Sequence, residues 1–312
     1  MKDHPAQHRH LYAPILFFLI AMQVLACRAR TERSPMEQDF EAFYQTEWAA
    51  RRLPERQRIS VLGARYDQMA APLRKDKNLN MVTADDLEIL YHTAKSSTFY
   101  THDRAHVREM ASFLNELQGR GLASKTDYVQ MYEAFVGARM LTEASALARQ
   151  HPVPEMEVLP ELHEAAGVVP GRPTEWVVNP NERELLLRNV DLSQPAQVVI
   201  VSHPLCHFSQ AAMRDIQADP VLGEVFKAHA KWLAPQDNRI DFDVIQKWNR
   251  QHPTEELALA FRREDWPMID SWATPTFYFL KNGELTAKVE GWPKAGRRSE
   301  LLAALRQVGL LP

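Results

Sequence analysis

The sequence lacks the residues and motifs that mark several large classes of protein. It has 2 cysteines in 312 residues, which excludes a disulfide-rich scaffold and the four-cysteine zinc motifs. It contains neither a glycine-rich phosphate loop nor a dinucleotide-binding fingerprint. The formal net charge is −3 with both signs interspersed, so no basic footprint for nucleic acid is present. We therefore expect no cofactor and no nucleic-acid partner.

The remaining composition is that of an ordinary globular protein. Apolar residues make up 45% of the chain and charged residues 25%, and a length of 312 residues favours two domains. We predict a signal or anchor segment over residues 1–27, a helical bundle over 34–151, a proline-rich linker over 152–173 and an α/β domain over 174–312.

The N-terminus carries an apolar run from Leu11 to Ala26, preceded by Lys2 and Arg9. Sixteen residues suit the apolar core of a signal peptide better than a membrane span. The run ends in Val24-Leu25-Ala26-Cys27, which resembles a bacterial lipoprotein signal. That resemblance implies a lipidated Cys27 and a membrane-anchored protein on the periplasmic side of the bacterial cell envelope.

Other outcomes for this segment stay open. It is alternatively an ordinary cleaved signal or an uncleaved anchor. Arg28, Arg30 and Arg33 follow the run and resist export, which is the case for a cytosol-facing membrane anchor. The charges on the two sides of the run are nearly balanced, and we expect export. If Cys27 is lipidated or removed, Cys206 is the only free thiol of the mature chain.

The helical half begins with a capping box in Ser34-Pro35-Met36-Glu37. Five more helices follow, and the first of these five is predicted over Gln57 to Leu73. We predict a small helical bundle. A tetratricopeptide-like pair of helix hairpins is the alternative, although its repeat is 34 residues against a spacing of about forty here, and its motif residues are missing. We expect the aromatic residues of these helices to be core rather than a binding surface, including those of the first helix: Phe40, Phe43, Tyr44 and Trp48.

Residues 174–190 predict a β-hairpin ahead of the main strand of the α/β domain. A helical insertion is predicted between Asp241 and Met268. Trp266 and Trp272 at its exit either line a groove for a substrate chain or belong to the core.

A strand, a cysteine and a helix follow one another in the α/β domain. Val198 to Val201 are β-branched and apolar, which predicts a buried strand. Pro204 ends the strand, and Cys206 stands where the next helix begins. The free N–H groups and the macrodipole of a helix N-terminus favour a thiolate, so we expect the pKa of Cys206 to be lowered.

A second pattern lies about seventy residues downstream. Thr274-Pro275 leads into an aromatic strand over residues 276–280, and Asn282-Gly283 predicts a hairpin turn. A final helix follows, in which apolar residues recur at helical spacing. Together the two patterns resemble the thioredoxin-like superfamily over residues 174–310. The resemblance implies that Cys206 is the first cysteine of the active-site motif and that Pro275 is the cis-proline facing it.

The departures from the family pattern restrict the mechanism. The second cysteine of the motif is Ser209, so the motif is Cys-x-x-Ser and no intramolecular disulfide can form. Leu205 replaces the usual tryptophan, and Ile200 replaces the buried acid of thioredoxin. The extra strands before the main strand are typical of the TlpA-like and peroxiredoxin-like branches. The Thr-Pro pair occurs in periplasmic disulfide isomerases.

These features predict monothiol thiol–disulfide exchange through Cys206. His207 and His203, when protonated, would lower its pKa further, and Ser209 would donate a hydrogen bond to the sulfur. Pro275, if cis, presents the backbone of Thr274 to an extended substrate. Release of the mixed disulfide then needs glutathione, a partner dithiol or a second cysteine of the substrate.

Three other interpretations of the same residues stay open. The domain is alternatively a degenerate, non-catalytic binding or scaffolding module. Cys206 is alternatively a peroxidatic thiol, although His203 occupies the position at which peroxiredoxins carry Thr or Ser. His203, Cys206 and His207 have a spacing compatible with a metal, but Pro204 prevents one regular helix from presenting all three, so we expect no metal.

Overall fold

The computed structural model describes residues 33–76 and 78–312. The predicted signal or anchor segment, including Cys27, lies outside the described residues. Among the helices of the described chain, none is both long enough and apolar enough to cross a membrane.

The helical half comprises residues 35–150, which fold into helices joined by short turns. Serine at the N-cap starts two of these helices. The Ser34 hydroxyl accepts from the Glu37 N–H at 3.0 Å, and the Glu37 carboxylate accepts from the Ser34 N–H at 2.7 Å, which confirms the predicted capping box. The helices are α1 (Pro35–Ala50), α2 (Glu55–Asp76), α3 (Ala84–Thr101), α4 (Arg104–Gly119), α5 (Lys125–Gly137) and α6 (Leu141–Gln150).

The aromatic residues of α1 differ from the expectation that they form core. Phe43 is 1% exposed, whereas Phe40, Tyr44 and Trp48 are 36%, 47% and 53% exposed. Among the helices, α1 packs mainly against α2 and α3, and it buries a narrow strip that contains Phe43 and Ala50. The other three aromatic rings lie beyond this strip.

The sheet half comprises residues 161–312 and is built on one sheet of eight described strands in the order β1-β3-β2-β6-β5-β4-β7-β8. The strands β4, β5 and β6 are parallel, and β7 is antiparallel to both β4 and β8. The strands are β1 (Glu161–Glu164), β2 (Thr174–Val178), β3 (Glu184–Asn189), β4 (Ala196–Val201), β5 (Ala230–Ala234), β6 (Leu257–Ala260), β7 (Thr276–Lys281) and β8 (Glu284–Glu290).

Four helices of the described chain belong to the sheet half: α7 (His207–Ala218), α8 (Pro220–His229), α9 (Phe242–Gln251) and α10 (Arg298–Val308). The strand β4 is buried on both faces. Val198 and Ile200 belong to a large apolar cluster that continues into the helical half, and Val199 and Val201 belong to a second cluster. A mixed α/β half preceded by an all-α half is the fold class predicted from the sequence, and that prediction is confirmed.

Residues 241–268 differ in part from the predicted helical insertion. They contain α9, but Leu257–Ala260 form the strand β6, which pairs with β5 and β2 in the middle of the sheet. Leucine and alanine favour helices locally, and the pairing of this segment with two neighbouring strands overrides that preference.

The proline-rich segment predicted as a linker contains a short strand. Glu161–Glu164 form β1, which pairs in parallel with β3 at the edge of the sheet. The antiparallel pairing of β2 with β3 agrees with the predicted hairpin. The domain boundaries near residues 151 and 173 stay a prediction, as does the choice between a bundle and a tetratricopeptide-like pair.

Candidate functional site

Cys206 lies just beyond the carboxyl end of β4 and is the N-cap residue of α7. Its N–H donates to the carbonyl oxygen of His203 at 3.0 Å, and its carbonyl oxygen accepts from the N–H of Gln210 at 3.0 Å. The thiol is free and partly exposed. The sulfur therefore lies at a helix N-terminus, where the unpaired N–H groups favour a thiolate.

The loop ahead of β7 brings a second residue to the sulfur. The Thr274–Pro275 peptide bond is cis, and β7 begins at the next residue. In the antiparallel pairing of β4 with β7, Val201 lies opposite Thr276. The Sγ of Cys206 accordingly donates to the carbonyl oxygen of Thr274 at 3.3 Å, across 68 residues of sequence.

This contact and the strand order together decide the fold. The strands have the order β5-β4-β7-β8. A cysteine lies at the start of α7, which follows β4, a cis-proline precedes β7, and the helix α10 follows β8. The sheet half is thioredoxin-like. A thioredoxin-like fold serves as a redox or a binding module, and the chemistry of the site has to distinguish the two.

Comparison with known proteins does not extend this assignment. No protein-family model matches the chain, and no curated protein matches it. Among solved structures, a thioredoxin-like protein from Bacteroides caccae ATCC 43185 has a TM-score of 0.30 and 13% sequence identity, covering 81% of this chain and 94% of that chain. A TM-score this low carries no argument, so the fold assignment depends on the strand order and the Cys206–Thr274 contact.

The pKa of the Cys206 thiol is lowered from its ordinary value. Burial raises this pKa, but hydrogen bonds to the sulfur from the side chain of Thr274 and from the amide and hydroxyl of Ser209 outweigh the burial, and the amide of Phe208 adds another. All of these donors are neutral. The thiolate is thus favoured by local hydrogen bonds rather than by a neighbouring cation.

Ser209 occupies the position at which a second cysteine would stand. It is 0% exposed, and its hydroxyl accepts from the N–H of His203 at 3.4 Å. A hydroxyl can stabilise the thiolate of Cys206 but cannot attack a mixed disulfide. The site therefore holds one sulfur, and no intramolecular disulfide can form in it.

The two histidines around Cys206 differ in their surroundings. Burial lowers the pKa of His203, against the opposing effects of Asp241 and Asp237, so the imidazole is neutral at neutral pH. Its Nδ1 accepts from the N–H of Leu205 at 3.2 Å. His207 is exposed, and its ring lies 3.9 Å from that of Phe208. The positive charge expected from His203 is therefore not supplied at neutral pH.

Two apolar side chains flank the sulfur and were missed by reasoning from the sequence. Leu205 is 64% exposed and Phe208 is 46% exposed. Helical spacing groups Phe208 with Ala212 and Ile216, which are buried, so the pattern alone favours a buried Phe208. Phe208 is exposed because the first turn of α7 lies beyond the carboxyl end of β4, where the sheet does not cover it. Only the folded structure shows this position.

Trp266 and Trp272 are mainly core residues, the second of the two alternatives left open by the sequence. Trp266 is 0% exposed and its Nε1 donates to the carbonyl oxygen of Thr174 at 3.1 Å. Trp272 is 8% exposed, and its N–H donates to the Glu55 carboxylate of α2 at 3.1 Å. Its remaining exposed edge lines a groove between the two halves of the molecule.

The possible metal ligands His203, Cys206 and His207 do not bring their ligand atoms together. Over residues 33–76 and 78–312, the group whose ligand atoms lie within 4.8 Å of one another is Glu161, His163 and Glu184. That group lies on β1 and β3, at the opposite end of the sheet from β7 and β8. It has no connection with the cysteine site.

Proposed function

We propose that the protein carries out monothiol thiol–disulfide exchange through Cys206, by reduction or isomerisation of protein disulfides. The supporting observation is the partly exposed sulfur at the start of α7, 3.3 Å from the carbonyl oxygen of Thr274 and with a lowered pKa. The N–H of Thr274 pairs with no acceptor among the described residues. An extended substrate that pairs with this N–H would hold its disulfide next to the sulfur.

The exchange needs two steps and no cofactor. The Cys206 thiolate attacks one sulfur of a substrate disulfide, forms a mixed disulfide with it and expels the other sulfur as a thiolate. An outside thiolate then attacks the substrate sulfur of the mixed disulfide and releases Cys206 as a thiolate. If that second thiolate belongs to glutathione or a partner dithiol, the substrate is reduced and the partner is oxidised. If it belongs to the substrate, the disulfide is isomerised without net redox change.

Several features support a narrower assignment within this proposal. The strands β2 and β3 ahead of β4 are an N-terminal extension of the kind found in the TlpA-like branch, and Thr274-Pro275 is the pair found in periplasmic disulfide isomerases. The lipoprotein-like sequence before Cys27 supports a membrane-anchored protein on the periplasmic side of the bacterial envelope, where disulfides persist. A cytosol-facing anchor is the alternative location.

Alkylation by iodoacetamide as a function of pH tests the proposal. A Cys27→Ser background leaves Cys206 as the one thiol, because the chain has 2 cysteines. We expect the alkylation rate to reach half its maximum at a lower pH than for an ordinary thiol, whose pKa is about 8.5. The same protein unfolded in denaturant is the reference and should titrate as an ordinary thiol.

Replacement of the sulfur completes the test. Cys206→Ala should retain the folded structure, as judged by circular dichroism, and lose all exchange with a disulfide substrate. Residual exchange in this variant would exclude Cys206 as the nucleophile.

The alternative is a degenerate binding or scaffolding module, which the serine at position 209 favours. Under that alternative Cys206 is unreactive or titrates as an ordinary thiol. A peroxidatic thiol is a further alternative, and sulfenic acid formed after addition of hydrogen peroxide would identify it.

A further inference from the structure

The helical half meets the sheet half at the edge where the parallel strands end. Arg139, which follows α5, donates from Nη2 to the carbonyl oxygen of Ala260 at the end of β6, at 2.9 Å. Gln236, which follows β5, donates to the carbonyl oxygen of Gly137 at 2.6 Å. Cys206 also follows a parallel strand. Since the carboxyl ends of parallel strands share one edge, the helical half and Cys206 lie along the same edge of the sheet.

The first turn of α2 holds the loop that leads to Thr274. The Glu55 carboxylate accepts from the N–H of Trp272 at 3.1 Å. The Arg56 guanidinium donates to the carbonyl oxygen of Ile269 at 2.9 Å. The helical half therefore fixes the backbone of the chain only a few residues before the segment that contacts the cysteine sulfur.

A groove of about 310 Å³ lies between this turn of α2 and the loop, and we name it the Trp272 groove. Ile269 and Trp272 are 2% and 8% exposed, so the most deeply buried part of its wall is apolar. The residues that define it here are Glu55, Arg56, Ile59, Pro267, Ile269 and Trp272.

Most charged side chains around the Trp272 groove are engaged within the chain, and Glu264, which also lines it, adds a negative charge that disfavours a carboxylate ligand. Glu55 pairs with the guanidinium of Arg263 at 3.0 Å, and Asp270 pairs with Lys288 at 2.9 Å. Arg56 donates to backbone carbonyl oxygens. A groove of this kind favours an apolar side chain over a small charged molecule such as glutathione, whose carboxylates would need cations of their own.

The groove lies close to Thr274, whose backbone N–H would pair with an extended substrate. Trp272 precedes Thr274 by two residues, which places the two backbones within about 7 Å along the chain. We propose that the Trp272 groove binds an extended segment of a substrate polypeptide, with an apolar side chain of that segment seated on Trp272 while the substrate cysteine reaches Cys206. This inference depends on the proposed exchange through Cys206 and assigns the helical half a part in selecting polypeptide substrates.

Two probes that carry the same reactive disulfide but differ in the length of the attached chain test the inference. One is cysteine as its mixed disulfide with 2-nitro-5-thiobenzoate, and the other is the same mixed disulfide at the centre of a ten-residue peptide with apolar residues on both sides. Attack by Cys206 on the cysteine sulfur expels the nitrothiobenzoate anion, whose absorbance reports the rate. In the Cys27→Ser protein we expect the peptide to react about tenfold faster than the cysteine derivative, because the groove would bind the peptide about tenfold more tightly.

Substitution of Ile59 fills the groove without touching the cysteine. Ile59→Arg and Ile59→Trp, one charged and one apolar, should lower the rate with the peptide to that with the cysteine derivative and leave the latter unchanged. Val61→Arg is the matched control, because Val61 is 39% exposed, lies on another side of α2 and is not among the groove residues. It should change neither rate. Circular dichroism establishes that each variant is folded.

The outcomes separate this inference from the proposed function. If both probes react equally fast, or if the Ile59 variants slow neither probe or slow both alike, the groove does not bind substrate and the exchange activity stands. If neither probe reacts with the parent protein, the exchange activity itself is refuted and the groove inference with it.

Discussion

The surroundings of Cys206 and the boundary between the two halves differ in the polar groups that they bury. The first stabilises an anion, and the second buries basic side chains. Around Cys206, neutral donors from Ser209 and Thr274 surround a group that becomes an anion. At the boundary, Arg139 is 6% exposed and His102 is 8% exposed, and burial lowers the pKa of both. Neutral hydrogen bonds therefore favour the thiolate at the cysteine site, whereas the boundary buries a guanidinium and an uncharged imidazole. We expect the boundary to be the part of the molecule most sensitive to mutation and pH.

Arg139 shows how the boundary tolerates a buried cation. Its Nε donates to the carbonyl oxygen of Phe261 at 2.9 Å and its Nη2 to that of Ala260 at 2.9 Å. The guanidinium also lies over the ring of Trp176, 4.9 Å from its centroid. Carbonyl oxygens and an aromatic face solvate the cation in place of water.

The largest expected effect is that of removing this guanidinium. Arg139→Ala leaves buried carbonyl oxygens without donors, and we expect the free energy of unfolding to fall by about 3 kcal/mol. Alkylation of Cys206 at neutral pH should keep its rate, because the sulfur takes its hydrogen bonds from other residues. Urea unfolding and iodoacetamide kinetics on the same protein measure the two quantities.

Arg139→Lys is the matched control for charge. An ammonium group keeps the positive charge but cannot donate in the planar fork that reaches both carbonyl oxygens, so we expect only part of the lost stability to return. A loss below about 1 kcal/mol for Arg139→Ala would contradict a structural role for these hydrogen bonds.

The features predicted correctly from the sequence are those fixed by neighbouring residues. A run of four buried apolar residues, Val198 to Val201, identifies β4, and Cys206 follows it at a helix start. Asn282-Gly283 identifies the turn between β7 and β8, where both residues have positive φ, 51° and 82°. Each of these signals lies within a few residues of the element that it predicts.

The features that the sequence did not reveal depend on contacts between distant residues. The strand β6 consists of Leu257–Ala260, whose local preference is helical, and it becomes a strand by pairing with β5 and β2. The link from Glu55 to the N–H of Trp272 spans 217 residues. No local pattern marks such a contact, so the part played by the helical half next to the cysteine could not be predicted.

The second largest expected effect is that of pH on the free energy of unfolding, through His102 at the boundary. Burial, followed by the charges of Arg263 and Arg139, lowers the pKa of His102 well below 6.5. The unfolded chain therefore takes up a proton before the folded protein does. The stabilisation is complete above about pH 6.5 and falls by up to about 1.4 kcal/mol per pH unit as the pH drops towards the folded pKa. Between pH 7 and pH 5 we expect the free energy of unfolding, measured by urea unfolding, to fall, and His102 alone contributes at most about 2 kcal/mol to this loss.

His102→Asn tests whether this pH dependence belongs to the boundary. Asparagine tolerates the left-handed backbone at this position, where φ is 50°, and does not titrate. The pH dependence should become shallower in this variant. His203, whose pKa burial also lowers, should account for what remains, and His203→Asn should remove that part. An unchanged slope in His102→Asn would show that the boundary is not the pH-sensitive part.

The smallest expected effect lies at the cysteine site. Ser209→Ala removes one hydroxyl that hydrogen-bonds to the sulfur, so the pKa of Cys206 should rise towards its ordinary value and alkylation at neutral pH should slow. The free energy of unfolding should fall by about 1 kcal/mol or less, because the N–H of His203 loses an acceptor that lies 3.4 Å away. The pH profile of alkylation and urea unfolding measure the two changes.

Ser209→Thr retains the hydroxyl and is the control for its chemistry. If the extra methyl group fits, the alkylation profile should stay near that of the parent, whereas Ser209→Ala should not. If both variants keep the parent profile, the thiolate is held without the hydroxyl of Ser209, by the side chain of Thr274, the amides of Ser209 and Phe208 and the helix N-terminus. The contrast with the boundary would then be sharper, because the anion would tolerate the loss of one side-chain donor while the buried cation of Arg139 would not tolerate the loss of its own.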